Sequence, residues 1–495
     1  MKTRTLKWLA GGFGLLVAGY AALLIPGAPP PVFEAGEKAP FAWNADIYWT
    51  RLENGFKQLR ATGCGSLKIH FSESYAEVEK LVEKMSSDLL SPDDSVFVRV
   101  EDGFFRLGML TAVCQERLTD YITLFSRLRR AVKEQSRNWD MADPAVRDRL
   151  YRLLYGGRMA VEEVILQAPE QAVPNTVAVS DEPSKTPAAA ILGVSIRSGD
   201  ILVSRGGAPT SALIARGNDY PGNFSHIALA HVDSATGVVS IIESHIECGV
   251  AVAGIEDYLR DTKLRVMILR LRRDLLLMLQ DPLLPHRAAT FALSRARSEH
   301  IPYDFAMNFD EPSKLFCSEV VSNAYARYGV TLWTGLSHIS SPGVKNWLAA
   351  FGVKNFVTQE PSDLEYDPQL RVVAEWRDYE TLLKDRLDNA VVDIMLERAE
   401  HGELLKYDWY LLPAGRLAKA CSAVLNLFGG VGPVPEGMDA SAALRNERFS
   451  ERHRLIKQQL TAAVGRFKEE RGYFPPYWEL VKLARQAVSE LDERE

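Results

Sequence analysis

Strand-like runs are confined to the middle of this chain, and helical periodicity fills both flanks. That division restricts the fold more than any other feature. Ser198-Gly199-Asp200 forms a turn into Ile201-Leu202-Val203, and His226 opens Ile227-Ala228-Leu229-Ala230. Thr236-Gly237 turns into Val238-Val239-Ser240-Ile241-Ile242; Val266–Leu271 is a further run, and Leu370–Ala374 closes the sheet. With helices around residues 285–299 and 315–328, these short runs predict an α+β domain.

The flanks read differently. Tyr75, Val78, Val82 and Met85, then Leu118, Ile122, Phe125 and Leu128, recur at three- and four-residue steps. This spacing is that of core-facing helix stripes, and it carries no chemistry. The predicted organisation is a leading apolar segment at 1–30, a helical bundle at 40–168 and a Pro-rich linker at 169–189. An α+β domain at 190–378 and a helical region at 379–495 follow. Leu425-Asn426-Leu427-Phe428 is expected to pack against neighbouring helices, with contact to lipid as the alternative. At 495 residues the chain exceeds what one compact core accommodates.

Lys2, Arg4 and Lys7 precede an uncharged stretch from Trp8 to Ile25, closed by Pro26-Gly27 and three further prolines. As a helix it would span roughly 27 Å, close to the hydrocarbon thickness of a bilayer. The reading favoured here is a single-pass anchor in the inner membrane, uncleaved, with the body on the extracytoplasmic side. A cleaved signal peptide is the competing reading.

The net charge of −6 argues against a nucleic-acid partner. Arg270-Leu271-Arg272-Arg273 is read as a solvated face. The cysteines Cys64, Cys114, Cys248, Cys317 and Cys421 are scattered, without metal-ligand spacing. They leave room for one isolated bridge or an unpaired functional thiol. No cofactor, metal or nucleotide site is implied.

Cys317 opens an apolar-periodic helix and shares a face with Val320, Val321 and Ala324. The free N–H groups and positive dipole end of a first turn favour a thiolate. His226 follows Ser225 at a strand start, placed to act as general base. If the strands from His226 and to Ile242 are hairpin neighbours, Glu243 lies near the level of His226 and can orient its imidazole. His245 and Glu247 are rivals for that role.

Five motifs occur in order: Gly199-Asp200-Ile201-Leu202, Ser225-His226-Ile227-Ala228-Leu229, Ile242-Glu243-Ser244, Pro302-Tyr303-Asp304 and Phe316-Cys317-Ser318-Glu319-Val320-Val321. Together they resemble the permuted papain-like cysteine amidases of the YaeF/YiiX type, within the NlpC-like superfamily, over about residues 190–375. In that group the histidine strand precedes the cysteine helix. The resemblance implies a small antiparallel sheet packed on the cysteine helix, and a catalytic triad of Cys317, His226 and Glu243. It implies a cleft wall shaped by Tyr303 and Asp304, beside Ser225. The expected function is a membrane-anchored cysteine hydrolase cutting an amide in a cell-wall peptide or an N-acylated lipid. An acyltransferase or thioesterase acting on lipid, and a catalytically silent envelope scaffold whose helical flanks grasp a protein partner, are the alternatives. The segment Gly206–Asn223 is a candidate lining for the substrate entrance.

Overall fold

Turn and strand residues between 176 and 376 build a seven-stranded sheet in the computed structural model, which describes residues 18–493 save 35, 37, 171–173, 180, 181, 310 and 336. Its strands are β1 (Thr176–Ala178), β4 (Ile201–Gly206), β5 (His226–Val232), β6 (Val239–His245), β7 (Gly249–Gly254), β8 (Lys263–Leu271) and β11 (Leu370–Trp376). They lie in the order β1-β11-β8-β4-β5-β6-β7, and every neighbouring pair is antiparallel. Two two-stranded sheets accompany it: β2 (Ala188–Ile191) with β3 (Val194–Arg197), and β9 (Ser337–His338) with β10 (Val357–Thr358). Thr176–Ala178, inside the stretch read as a linker, pairs with β11 at the sheet edge.

Alternation along the strands sorts the core. Ile201, Val203, Ile227, Leu229 and Ile242 join the large cluster that includes Val320, Val321 and Ala324 of the helix Cys317–Ala326. Leu202, Ala228, Ala230 and Ile241 face the other way, against Ile196 and Tyr258. Gly199 shows why glycine precedes β4. Its φ is +95°, and a Cβ there would lie 2.3 Å from Pro285 Cβ. Tyr325 of the cysteine helix donates to the Gly199 carbonyl at 2.6 Å, which pins that helix to the sheet.

The helical flanks are joined to this core by both apolar and ionic contacts. One hydrophobic cluster takes in Leu81 and Val100, Ile227 and Leu229, and Val392 and Leu460. Through it runs a buried lattice of charges. Arg158 grips Glu365 at 2.9 Å through two nitrogens, while Arg265 meets both Glu162 and Asp385. Asn223, three residues before His226, bonds Arg158 at 2.9 Å and Asp385 at 3.3 Å. Two arginines of the run read as a solvated face are internal, while Arg273 is exposed. Arg270 is buried and holds Asp200 through two 2.8 Å bonds, and Arg272 is buried beside Asp274. Carboxylates placed to receive them make guanidinium burial tolerable.

Two other expectations change. Among the described residues no helix is long and apolar enough to cross a membrane, which overturns the single-pass inner-membrane placement. Residues 18–24 are helical, about 10 Å of rise against the roughly 30 Å a bilayer core requires; residues 1–17 of the expected anchor lie outside the described residues. Arg416 donates to the carbonyls of Ala22, Leu23 and Ile25 at the end of that helix. Leu427 and Phe428 are 83% and 85% exposed instead of packed against neighbouring helices. Cys64 and Cys114 form one isolated disulfide, for which the cysteine count left room, and it closes a 50-residue separation.

Candidate active site

The β5–β6 hairpin forms as the turn residues predict, with Asp233 N–H donating to the Val238 carbonyl at 2.9 Å. Its register sets Ala228 opposite Glu243, two residues beyond His226. Residues two apart share a strand face, so the imidazole and carboxylate meet. His226 Nε2 lies 2.7 Å from Glu243 Oε2. His245, at the end of β6, reaches the other carboxylate oxygen at 3.2 Å, and its ring stacks on that of His226 with centroids 5.5 Å apart. Glu243 therefore serves both histidines, and the sequence-level rivalry ends in a shared site.

Burial pulls the Glu243 carboxyl upward, but the bonds and charges of His226 and His245 outweigh it and hold the group well below the usual carboxylate range. Burial lowers His226 below its ordinary value, with Glu243 pulling it back in part. His245 feels the same opposition, and there Glu243 prevails, so that ring binds a proton more readily than free histidine. At neutral pH the cluster is a neutral His226 beside an ionised Glu243.

Cys317 reaches this corner from the helix side. It is the first residue of its helix and buried. Three bonds fix that helix start: Ser244 Oγ donates to the Leu315 carbonyl at 2.6 Å, Leu315 N–H to the Pro302 carbonyl at 3.0 Å, and Phe316 N–H to Glu319 Oε2 at 2.9 Å. Ser244 adjoins Glu243, so one strand end places both the carboxylate and the thiol's helix. The Ile227 backbone N–H, next in sequence to His226, acts on the thiol. By strand alternation His226 shares its face with Ala228, opposite the helix-facing Ile227. Thiol and imidazole therefore approach the start of β5 from two sides. Among the described residues no hydrogen bond joins them.

Burial opposes the thiolate that a helix first turn favours. Burial pushes the Cys317 thiol up to about 12, and the Ile227 N–H offsets only part of that rise. Glu360, which no sequence signal marked, adds to it. Burial raises Glu360 itself to about 8, with Asp363 adding and Arg147 opposing. Gln359 anchors it: this side chain accepts from Ser322 of the cysteine helix and donates to the Leu332 carbonyl at 3.0 Å. Glu319 is likewise raised to about 8 by burial.

The three residues expected in the cleft wall have distinct positions. Tyr303 is half-buried, packs edge-on against Phe305 at 4.9 Å, and lies close enough to Cys317 for their charges to interact. Asp304 is buried and accepts from Ala306 N–H at 2.9 Å and from Asn308 N–H, which closes the turn after it. Ser225 is buried with its hydroxyl on the Gly206 N–H at 3.3 Å, tying β4 to the strand start.

An antiparallel sheet, a histidine–carboxylate pair on adjacent strands and a cysteine at the head of a helix packed on that sheet describe a cysteine-hydrolase type of site. Residues 195–374 match the model of the permuted papain-like amidase family YaeF/YiiX, C92, a span that contains Cys317, His226 and Glu243. No curated protein and no solved structure matches the chain.

Proposed function

We propose that the core is a cysteine amidase in which Cys317 is the nucleophile, His226 the base and Glu243 the residue that orients it. The observation that carries this reading is the 2.7 Å His226–Glu243 contact through Nε2. With Nε2 engaged by Glu243, Nδ1 is the ring nitrogen that serves the thiol in this reading. Tautomer control by a carboxylate is the same device that serves other nucleophile–histidine sites.

With both partners neutral at rest, proton transfer accompanies substrate binding. Hydrogen bonds that are long in a free enzyme tighten in the complex. Nδ1 takes the thiol proton as Sγ attacks the carbonyl carbon. First-turn N–H groups of the cysteine helix stabilise the tetrahedral oxyanion. Collapse breaks the C–N bond, and the imidazolium returns its proton to the departing amine. A water deprotonated by His226 then cleaves the thioester and restores the thiol. The substrate class is an amide of a peptide or of an N-acylated lipid.

The test is turnover of acyl-amide and peptidoglycan-peptide substrates by wild type and by Cys317→Ala. Retained turnover in the variant would sink the assignment. Alkylation supplies a second readout, with exposed Cys421 as the comparator because Cys64 is locked in the disulfide. If an amide substrate fails to protect Cys317 from alkylation while Cys421 is unaffected, the amidase assignment of this thiol is overturned.

A further inference from the structure

A cavity opens where three parts of the chain meet. It holds about 370 Å³ and is lined by the helices of residues 46–62, 95–113 and 157–167, by Arg216 and Pro221 of the core, and by residues 473–478 near the C-terminus. None of Cys317, His226 or Glu243 contributes to it. The volume lies within the roughly 300–1,000 Å³ range of small-molecule sites, which favour junctions between structural units. It is more than twice an apolar cavity of about 150 Å³ that takes up one benzene molecule.

The wall is built from rings and thioethers, among them Trp43, Trp49, Tyr155, Met159, Tyr473 and Trp478. Its charged members are matched within the protein. Asp393 takes two bonds from Arg216 at 2.7 and 2.9 Å and a third from Tyr477 at 2.7 Å. Glu53 accepts from Tyr473 at 2.8 Å and Trp478 at 2.9 Å and pairs with Lys57 at 2.8 Å. Glu163 accepts from the Tyr477 N–H at 3.0 Å and pairs with Arg386, both through Oε1, while its Oε2 is buried without a hydrogen-bond partner. With its charges already partnered, the wall selects an occupant that brings an uncharged, apolar part.

The backbone supplies an independent pointer. Tyr151–Gly156 is a π-helical turn, a form that is rare and frequent at functional sites. It delivers Tyr151, Tyr155 and Gly156 to the cavity. Several rings are already stacked on each other, Trp49 on Trp478 at 5.6 Å and Tyr151 on Tyr155 at 4.5 Å. Met109 and Met159 add flexible thioethers to the lining, side chains that adapt to an irregular, flexible apolar occupant such as an aliphatic chain. The segment Gly206–Asn223 contributes Arg216 and Pro221 to this cavity.

We propose that the cavity binds one unbranched acyl chain. The full-length protein is titrated with cis-parinaric acid, an acyl chain whose polyene quenches tryptophan fluorescence by energy transfer from residues such as Trp49 and Trp478. The expected result is saturable, equimolar quenching that the neutral lipid monolaurin reverses. Ala160→Phe and Ala112→Phe, which fill the cavity from two sides, should each weaken binding at least about tenfold, a loss of about 1.4 kcal/mol. Alkylation of Cys317 should be unchanged in both, which separates this site from the proposed amidase centre. Absence of saturable binding to wild type would overturn the proposal, as would undiminished binding in whichever filled variants fold. Displacement by naphthalene but not by monolaurin would assign the cavity to planar rings instead.

Discussion

His226 and Glu243 are brought to 2.7 Å of each other by strand register alone, because the β5–β6 hairpin places the carboxylate two residues along from the imidazole on a shared face. His245 occupies the second oxygen of the same carboxylate. The consequences for activity can be measured one residue at a time.

Removing the carboxylate should impair the base while leaving the thiol in place. Glu243→Ala is expected to lower kcat/KM by about 10²–10⁴-fold, the range in which positioned acid–base catalysis operates. Steady-state kinetics on an acyl-amide substrate checks this. His245→Gln removes only the second partner and should cost far less.

The acid limb of the pH–rate profile should lie below the ordinary histidine value, since burial lowers His226. Glu243 raises it in part, so Glu243→Gln should move that limb further toward acid as well as reduce the rate. A kcat/KM profile from pH 4 to 8 would show an unshifted limb if His226 were not the titrating base. The stability signs differ for the neighbours. Glu243 is depressed in the fold, so its contribution is present above its ordinary value and is lost as pH falls through the folded value. His245 is raised, and its contribution is present below the ordinary histidine value and lost as pH rises through the folded one.

Glu360→Gln should make the thiol more acidic, because the Glu360 carboxylate raises Cys317. Glu360 titrates at about 8, so the difference from wild type should be small at neutral pH and grow above it. Iodoacetamide rates measured from pH 7 to 10, resolved by peptide mass spectrometry, test the sign. A variant that alkylated more slowly than wild type at high pH would contradict it.

The buried lattice should dominate stability. Glu162→Ala leaves Arg265 and Arg158 short of a partner inside the protein and is expected to cost about 3–5 kcal/mol. Urea unfolding provides the measurement. Cys64→Ser should cost about 2–4 kcal/mol by releasing the loop closed by its bridge to Cys114, and reductant should reproduce that loss in wild type.

Local pattern carried much of the site. The runs at Ile201, His226, Val239 and Leu370 are strands, Cys317 does begin a helix, and Glu243 does reach His226, each because its determinant is short-range. The readings that failed were environmental. The surroundings of a first-turn cysteine look electropositive enough to favour a thiolate, yet desolvation of the buried thiol opposes the dipole end and the N–H. Arg270 and Arg272 look solvated until Asp200 and Asp274 are seen beside them. Glu360 lay in an unremarkable loop, and only the Gln359–Ser322 contact brings it toward the thiol.

By itself, then, the sequence determined the order of elements, the antiparallel hairpin register and the residue types at the site, because turn chemistry and two- or four-residue periodicities act over a few positions. Tertiary structure alone decided the charge state of Cys317, the sharing of Glu243 by two histidines and the welding of the helical flanks to the sheet. It also built the aromatic cavity from residues more than 400 positions apart, such as Glu53 and Trp478, which bond each other at 2.9 Å. Desolvation and long-range contact set all of these, and neither is encoded in any short stretch of chain.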